Sequence, residues 1–530
     1  MAPMKIGFSS IYSWRPHVEH LFYLSQLMRG AGHQISFLSC ESDLSGCYSK
    51  ELHPARSNAM DCMRCRIGNI RSYTGRAVYS IGELARSGSA WSAGAHEGSQ
   101  SSASTLGRFE SDEDFSSAEF QAIVDRLESG SQRAYAAAAE WIKRERLDAI
   151  CVFNGRIDAT RALIEAARDA NIPFVTMERT WFGDGLQLLP GENCLGLDNV
   201  NRLMEQWADR PLTRQQALRA VQHVAARFLR RNDKEWRAYN TLAKTVEWPE
   251  VAAASRILLV PGSRNEVWGH PDWGSGWQEQ TEAYDALIEH FGLRPSELVL
   301  RCHPNWGERI GAADGRKAED YYTGWAKRRG VHCIASTDRA STLGLIERCD
   351  AIVVAGGSAA LEAGILGKQV IATGPSIYQK AGFQSDAYRP EQLAQLTLNA
   401  RQDAEFRAGE AVRIARQTLR FAYTMAYRVA QFVDHVHSAT TTRYEYRHGA
   451  DASRLERLLR GGMLEADDQT CAEDAREEDA VLALIGDRQW ERLYALPKTA
   501  PARDESYAVK RRWMFRPIDA LREALPRGDR

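Results

Sequence analysis

The segment SELVLRCHPNW, residues 296–306, runs from an apolar stretch straight into Arg301, His303 and Pro304. A guanidinium and an imidazole at the end of a strand that a proline then stops are groups suited to reading a phosphate. Further along, CDAIVVAGGSAALEAG (349–364) joins a strand to a helix through Gly356-Gly357-Ser358. Such a turn aims bare backbone N–H groups at an anion, its glycines allow close approach, and Ser358 adds a hydroxyl. Glu362, one turn into that helix, faces back toward the same place, where a carboxylate accepts both hydroxyls of a ribose. Upstream, LLVPGSRNE (258–266) puts Ser263 and Arg264 just past another strand. Each of these pieces alone reads equally well as a plain turn; their order on successive strand ends points to one nucleotide-binding rim.

Chemistry at such a rim needs a base or nucleophile opposite. The candidates are Asp158 in FNGRIDATR, Glu178 in TMERTWFGDG, and Asp184 in the same loop. A carboxylate there takes the proton of an attacking hydroxyl, or attacks the substrate itself. Glu178 and Asp158 rank ahead of Asp184, although Asp158 also suits a helix N-terminus. Arg156 and Arg179 are candidate clamps for an acidic group, or plain surface arginines. Asp112-Glu113-Asp114 is the one triplet resembling a metal-binding Asp-x-Asp, and it reads as solvated loop charge, so catalysis is expected to need no metal or other cofactor. Cys40, Cys47, Cys62 and Cys65 form C-x6-C-x14-C-x2-C. They are either a tetrahedral structural zinc site or four reduced loop thiols. Trp268, Trp273, Trp277 and Trp306 crowd the same region, as platforms for a sugar or base ring or as domain-interface core.

The elements that must position these groups alternate between strand and helix, the pattern of parallel sheets with crossover helices. The 530 residues are too many for one ordinary core. An α/β fold is expected, with two Rossmann-like doubly wound domains facing a central cleft: residues 1–248, then 249–440, then a helical extension, 441–530. The Ser/Gly-rich stretch 87–117 is expected to be a mobile loop or a lid. Within the extension, 465–480 reads as a solvated acidic stretch. YAVKRRWMFRPIDALREAL (507–525) is basic and carries Trp513, Met514 and Phe515. It is either a helix docked on the body or an interfacial anchor on anionic lipid. The formal charge of −1 makes no case for nucleic acid as a partner. No apolar run approaches the roughly 18 residues that span a bilayer, and the first residues lack the features of a signal peptide. A cytoplasmic location with reduced cysteines is therefore expected, with peripheral contact at the inner membrane face if the tail is an anchor.

The run SRNE…LRCHPN…CDAIVVAGGSAALEAGILGKQVIATGPSIYQKAGF resembles the capsule polysaccharide biosynthesis family of GT-B glycosyltransferases, which includes Kdo transferases; its His-Pro element is also similar to those of GT-B sialyltransferases and CDP-glycerol polymerases. The resemblance covers residues 255–390 well and the first half in outline. It implies a CMP-activated donor, Kdo or a related acidic sugar, and a glycan or glycolipid acceptor. It places His303 and Ser358 on the donor phosphate and Glu362 on the ribose; Ser263, Arg264, Arg301 and Gly357 stand beside them as nucleotide-binding candidates by their own positions. The sequence departs from it in carrying GGS where many relatives have two hydroxyl residues. Two other enzymatic readings share the architecture, a UDP-sugar transferase and a UDP-sugar 2-epimerase. A non-catalytic GT-B-like scaffold of polysaccharide assembly is the reading from another class.

Overall fold

The protein is described here from a computed structural model in which residues 2–85, 91–235, 243–244, 246–249, 253–495, 506–507 and 509–524 are placed. Its first half builds β1 (Lys5–Ser9), β2 (Gln34–Ser39), β3 (Tyr79–Ser80), β4 (Ala149–Phe153), β5 (Phe174–Arg179) and β6 (Leu186–Pro190). Its second builds β7 (Ile257–Val260), β8 (Leu298–Arg301), a small hairpin of β9 (Arg309–Ile310) and β10 (Ala313–Asp314), then β11 (His332–Ile334), β12 (Ala351–Val354), β13 (Gln369–Ala372) and β14 (Gln384–Asp386). The last strands are β15 (Ala430–Gln431), β16 (Val436–Thr440), β17 (Arg443–Arg447) and β18 (Ser506–Tyr507).

Two sheets result. The first runs β15-β6-β5-β4-β1-β2-β3, parallel from β5 to β3 and antiparallel at β6 and β15. The second runs β11-β8-β7-β12-β13-β14 and is parallel throughout. Their inner strands, such as AICVF and AIVV, are buried at every residue. That is what a strand covered by helices on both faces requires. This is the GT-B architecture of two Rossmann-like domains, and the carboxyl ends of β4, β5, β8 and β12 all contribute to one cavity between them.

The stretch 87–117 is not a loop. Residues 87–90 lie outside the described part; Ala93–Gly107 is a helix capped by Ser92, whose hydroxyl accepts from the Ala95 N–H. Its glycines and serines, which read as loop composition, serve close packing instead. A Cβ on Gly98 would fall 2.7 Å from Cβ of Arg161 on the helix Asp158–Asp169. The helix also joins the domains: Ser104 Oγ donates to Asn265 O at 2.8 Å, and just past its end the Arg108 guanidinium donates to Asn305 O and Glu308 O at 2.9 and 2.7 Å. What sequence composition marked as a lid is an interdomain strut.

The chain then returns. The helix Ala404–Thr424 leads to β15, which pairs with β6, so residues 430–431 belong to the first sheet and not to the second domain. The extension folds over the first domain: β16–β18 form a small antiparallel sheet beside the helix His17–Gly30, with the Tyr23 hydroxyl donating to Arg447 O at 2.9 Å. The acidic stretch is solvated only in part: Glu465, Glu473, Glu477 and Asp479 are exposed, but others are built in. Glu478 is fully buried and accepts from Arg420 at 2.8 and 2.9 Å and from Arg416 at 3.1 Å, while Asp467 pairs with Arg454. Buried carboxylates need such partners.

Candidate functional site

The cavity holds about 1090 Å³, ample for a nucleotide and a sugar. On the second-domain side β8 delivers His303, whose Nδ1 accepts the Asn305 N–H at 3.1 Å as it caps the turn Pro304–Gly307. With Nδ1 accepting, the neutral ring carries its proton on Nε2, which makes that nitrogen a donor. After β12, Gly356 takes φ +94° and sits against the Trp273 ring, 3.0 Å from where a Cβ would be. A side chain there would be strained on both counts. Gly357 has open space before it, and Ser358 is exposed at the start of the helix Ala359–Ile365. His303, Gly357, Ser358 and Glu362 all line the cavity.

Glu362 is more constrained than a free ribose clamp. Its Oε1 accepts from Arg227 Nη1 at 2.9 Å, and Arg227 in turn pairs with Glu235 at 2.8 Å. Its Oε2 is buried and has no hydrogen-bond partner among the described residues. One carboxylate oxygen is thus committed and the other is left for a ligand hydroxyl. Burial pushes the Glu362 carboxyl up, and the Arg227 charge opposes this.

Across the cleft, Glu178 stands at the end of β5 and lines the cavity. Its Oε1 accepts the Arg179 N–H at 2.9 Å and lies 3.4 Å from His17 Nδ1; its Oε2 accepts from Asn154 Nδ2 at 3.2 Å. Burial raises its proton affinity, against the pull of Arg179. His17 is held neutral by its own burial and then by the neighbouring Arg179 charge. Asn154 occupies the left-handed region, φ +64°, directly after β4. This conformation, tolerated by asparagine, turns its amide to Glu178 and lets Oδ1 accept the Arg156 N–H at 3.0 Å. Asn154, His17 and Arg227 escape sequence reasoning. The only trace of them is the pair His17 and His20 one turn apart after β1.

The other candidates are placed differently. Asp158 is fully buried and outside the cavity wall; it accepts from the Tyr12 hydroxyl and from the Tyr48 N–H at 2.9 Å, and burial lifts its pKa to about 6. Seated at the first residue of its helix, it ties three segments together instead of facing a substrate. Asp184 pairs with Lys234 at 3.0 Å and accepts the Ser438 N–H at 2.8 Å. Ser263 accepts from Trp306 Nε1 at 2.9 Å and is not part of the cavity wall. Arg264 reaches away from the cavity to Asp112 at 2.6 Å and Glu279 at 3.4 Å, so the Asp112 charge, still partly solvated, is also paired. Arg301 borders the cavity, but its guanidinium donates to Ala335 O and, at 3.0 Å, to Asp338 O. It holds the loop after β11. Arg156 and Arg179 line the cavity; Arg156 also donates to Ser101 Oγ at 3.0 Å, and Arg179 to Thr441 O at 3.3 Å.

The tryptophans divide. Trp273 borders the cavity and spans the domains, its Nε1 donating to Leu195 O at 2.8 Å. Trp268 stacks on Phe115 at 4.6 Å, Trp277 donates to Ala387 O, and Trp306 is buried against Tyr322. For Cys40, Cys47, Cys62 and Cys65 the structure offers no support as a metal site: among the described residues no group of three or more His, Cys, Asp or Glu side chains is arranged to hold a metal ion. Cys47 is buried beside Asp158, and its thiol is pushed up. Among the described residues no helix is long and apolar enough to cross a membrane.

No family model matches the sequence, and no curated protein matches it. Solved structures do. The Thermosulfurimonas dismutans KpsC β-Kdo 2,4-transferase is 16% identical, with 59% of this chain and 87% of that chain covered and a TM-score of 0.32. A UDP-GlcNAc 2-epimerase from Neisseria meningitidis is 12% identical over 79% and 98%, with a TM-score of 0.28. The glycosyltransferase SnogD from Streptomyces nogalater is 13% identical over 79% and 95%, with a TM-score of 0.22. The fold assignment stands on the strand order and the cleft described above: the chain is a two-domain GT-B protein.

Proposed function

We propose that this protein is a glycosyltransferase that moves an acidic sugar, Kdo or a relative, from a CMP-activated donor to a glycan or glycolipid acceptor in bacterial surface-polysaccharide synthesis. The observation that carries the reading is the pairing across one cavity of a nucleotide-type wall, His303 with Gly357, Ser358 and Glu362, and a buried carboxylate, Glu178. The Nε2–H of His303 and the hydroxyl of Ser358 meet the donor phosphate, where negative charge builds as the sugar–oxygen bond breaks. The Glu362 oxygen left without a partner among the described residues takes a ribose hydroxyl. Glu178, with its proton affinity raised by burial, accepts the proton of the attacking acceptor hydroxyl. Arg156 and Arg179 give the cavity the positive charge that an acidic sugar needs.

Calorimetry with CMP, CDP and UDP tests this. The reading expects CMP to bind, His303→Ala to weaken that binding, and UDP to bind less well. Tight UDP binding with none of CMP would turn the assignment to a UDP-sugar enzyme. Binding without turnover of any activated sugar would favour a scaffold.

A further inference from the structure

The segment Lys510–Leu521 is docked on the first domain the wrong way round for an ordinary surface helix. An amphipathic helix normally buries its apolar face and exposes its charges. Here the inward contacts are polar. Asp519 of the helix Arg516–Ala524 pairs with Arg15 at 2.8 Å and with Arg511 at 3.4 Å; Arg511 is itself buried, and the Arg512 N–H donates to Ser72 O at 2.7 Å. Four apolar side chains face outward, Phe515 being half-buried: Trp513 is 75% exposed and Leu521 63%, with Met514 and Ile518 also exposed. Positions 514, 518 and 521 follow the helical spacing of one face. Lys510, Arg512 and Arg516 are exposed around them.

We propose that this outward face is a membrane-binding surface for anionic lipid. Apolar rings and aliphatic side chains flanked by exposed cations match the boundary between lipid headgroups and acyl chains, where both find favourable surroundings. The cations select the lipid: each basic residue near an anionic surface strengthens binding about fivefold, so three together are worth roughly a hundredfold over a neutral surface. The segment is also tied to the cleft, because Arg15, which holds Asp519, lines the cavity. A lipid-anchored acceptor on this face would thus meet the side of the cavity that Arg15 lines. That last step rests on the proposed function; lipid binding itself does not.

The experiment is sedimentation of the full chain with vesicles of phosphatidylcholine alone and of phosphatidylcholine mixed with phosphatidylglycerol. The proposal expects binding to the mixed vesicles, much weaker binding to the neutral ones, and release at high salt. It expects the variant Trp513→Ser, Ile518→Ser, Leu521→Ser to lose binding by about tenfold or more while its circular dichroism and CMP affinity are unchanged. Failure of the wild type to sediment, or equal sedimentation of the variant, overturns the proposal. A concentration-dependent dimer that the same variant abolishes, without vesicle binding, also overturns it, in favour of a second copy of this chain. Vesicle binding that persists when no sugar transfer is found would leave the lipid surface standing and remove only the transferase reading.

Discussion

Glu110 offers a test of how the two domains are joined. It belongs to the first domain, is fully buried, accepts the Tyr322 hydroxyl at 2.9 Å and the Arg264 N–H at 3.1 Å, and so touches the second domain with both oxygens. Burial lifts its pKa from 4.5 to about 8, against the pull of the Tyr322 and Arg264 contacts and with some help from Glu279. The folded state therefore holds a proton that the unfolded chain gives up near pH 4.5. The stability linked to that proton is fully present below about pH 4.5 and is lost as pH rises through about 8. At about 1.4 kcal/mol per pH unit across this window, the loss reaches roughly 5 kcal/mol. Glu110→Gln keeps an oxygen for Tyr322 and cannot ionise. In urea titrations followed by fluorescence the variant should match the wild type to within about 1 kcal/mol near pH 5 and exceed it by roughly 4 kcal/mol near pH 8.5. A difference that is the same at both pH values would refute the reasoning, because only a group that titrates between them produces the divergence.

Three further outcomes follow from the site. His303→Ala should lower kcat on an activated donor by about 10²–10³-fold, the cost of one donor aimed at developing charge, with the fold intact by circular dichroism. Glu178→Gln should reduce turnover by about 10²–10⁴-fold. Since burial raises the Glu178 pKa, wild-type activity should fall on the acid side at a pH above the ordinary carboxylate range, and the variant's residual activity should lack that limb in a pH–rate profile. Arg227→Met leaves the buried Glu362 and the half-buried Glu235 without their shared cation and should cost roughly 3–5 kcal/mol of stability, seen as a lower thermal midpoint and weaker nucleotide binding.

The second domain is the more legible half of the sequence. Its strands are short apolar runs, each ended by a chemically distinctive group, and a parallel sheet gathers its carboxyl ends on one side. The shared cavity of His303, Ser358 and Glu362 therefore follows from their positions along the chain alone. What escapes such reading are contacts between residues distant in sequence. The interdomain strut Ala93–Gly107 reads as loop because alanine, serine and glycine carry no periodic apolar stripe; their smallness only acquires meaning against the partner helix. Arg301 has the chemistry of an anion ligand, yet it spends its donors on carbonyls 34 and 37 residues ahead. Glu478 reads as one more solvated acid because its partners, Arg416 and Arg420, lie some 60 residues upstream on another helix. Asp158 shows the converse: a catalytic residue type at a helix start, used to knit Tyr12 and Tyr48 to that helix.

The return of the chain to β15 makes the second domain an insertion within the first. The polypeptide leaves the first sheet after β6, builds six parallel strands elsewhere, and comes back to cover the edge that β6 would otherwise present. A fragment ending near residue 248 would keep the Glu178 wall but expose that bare hydrogen-bonding edge, an invitation to pair with another copy. Dissecting the molecule calls for excising its middle and rejoining the flanks, since no single cut separates the two halves.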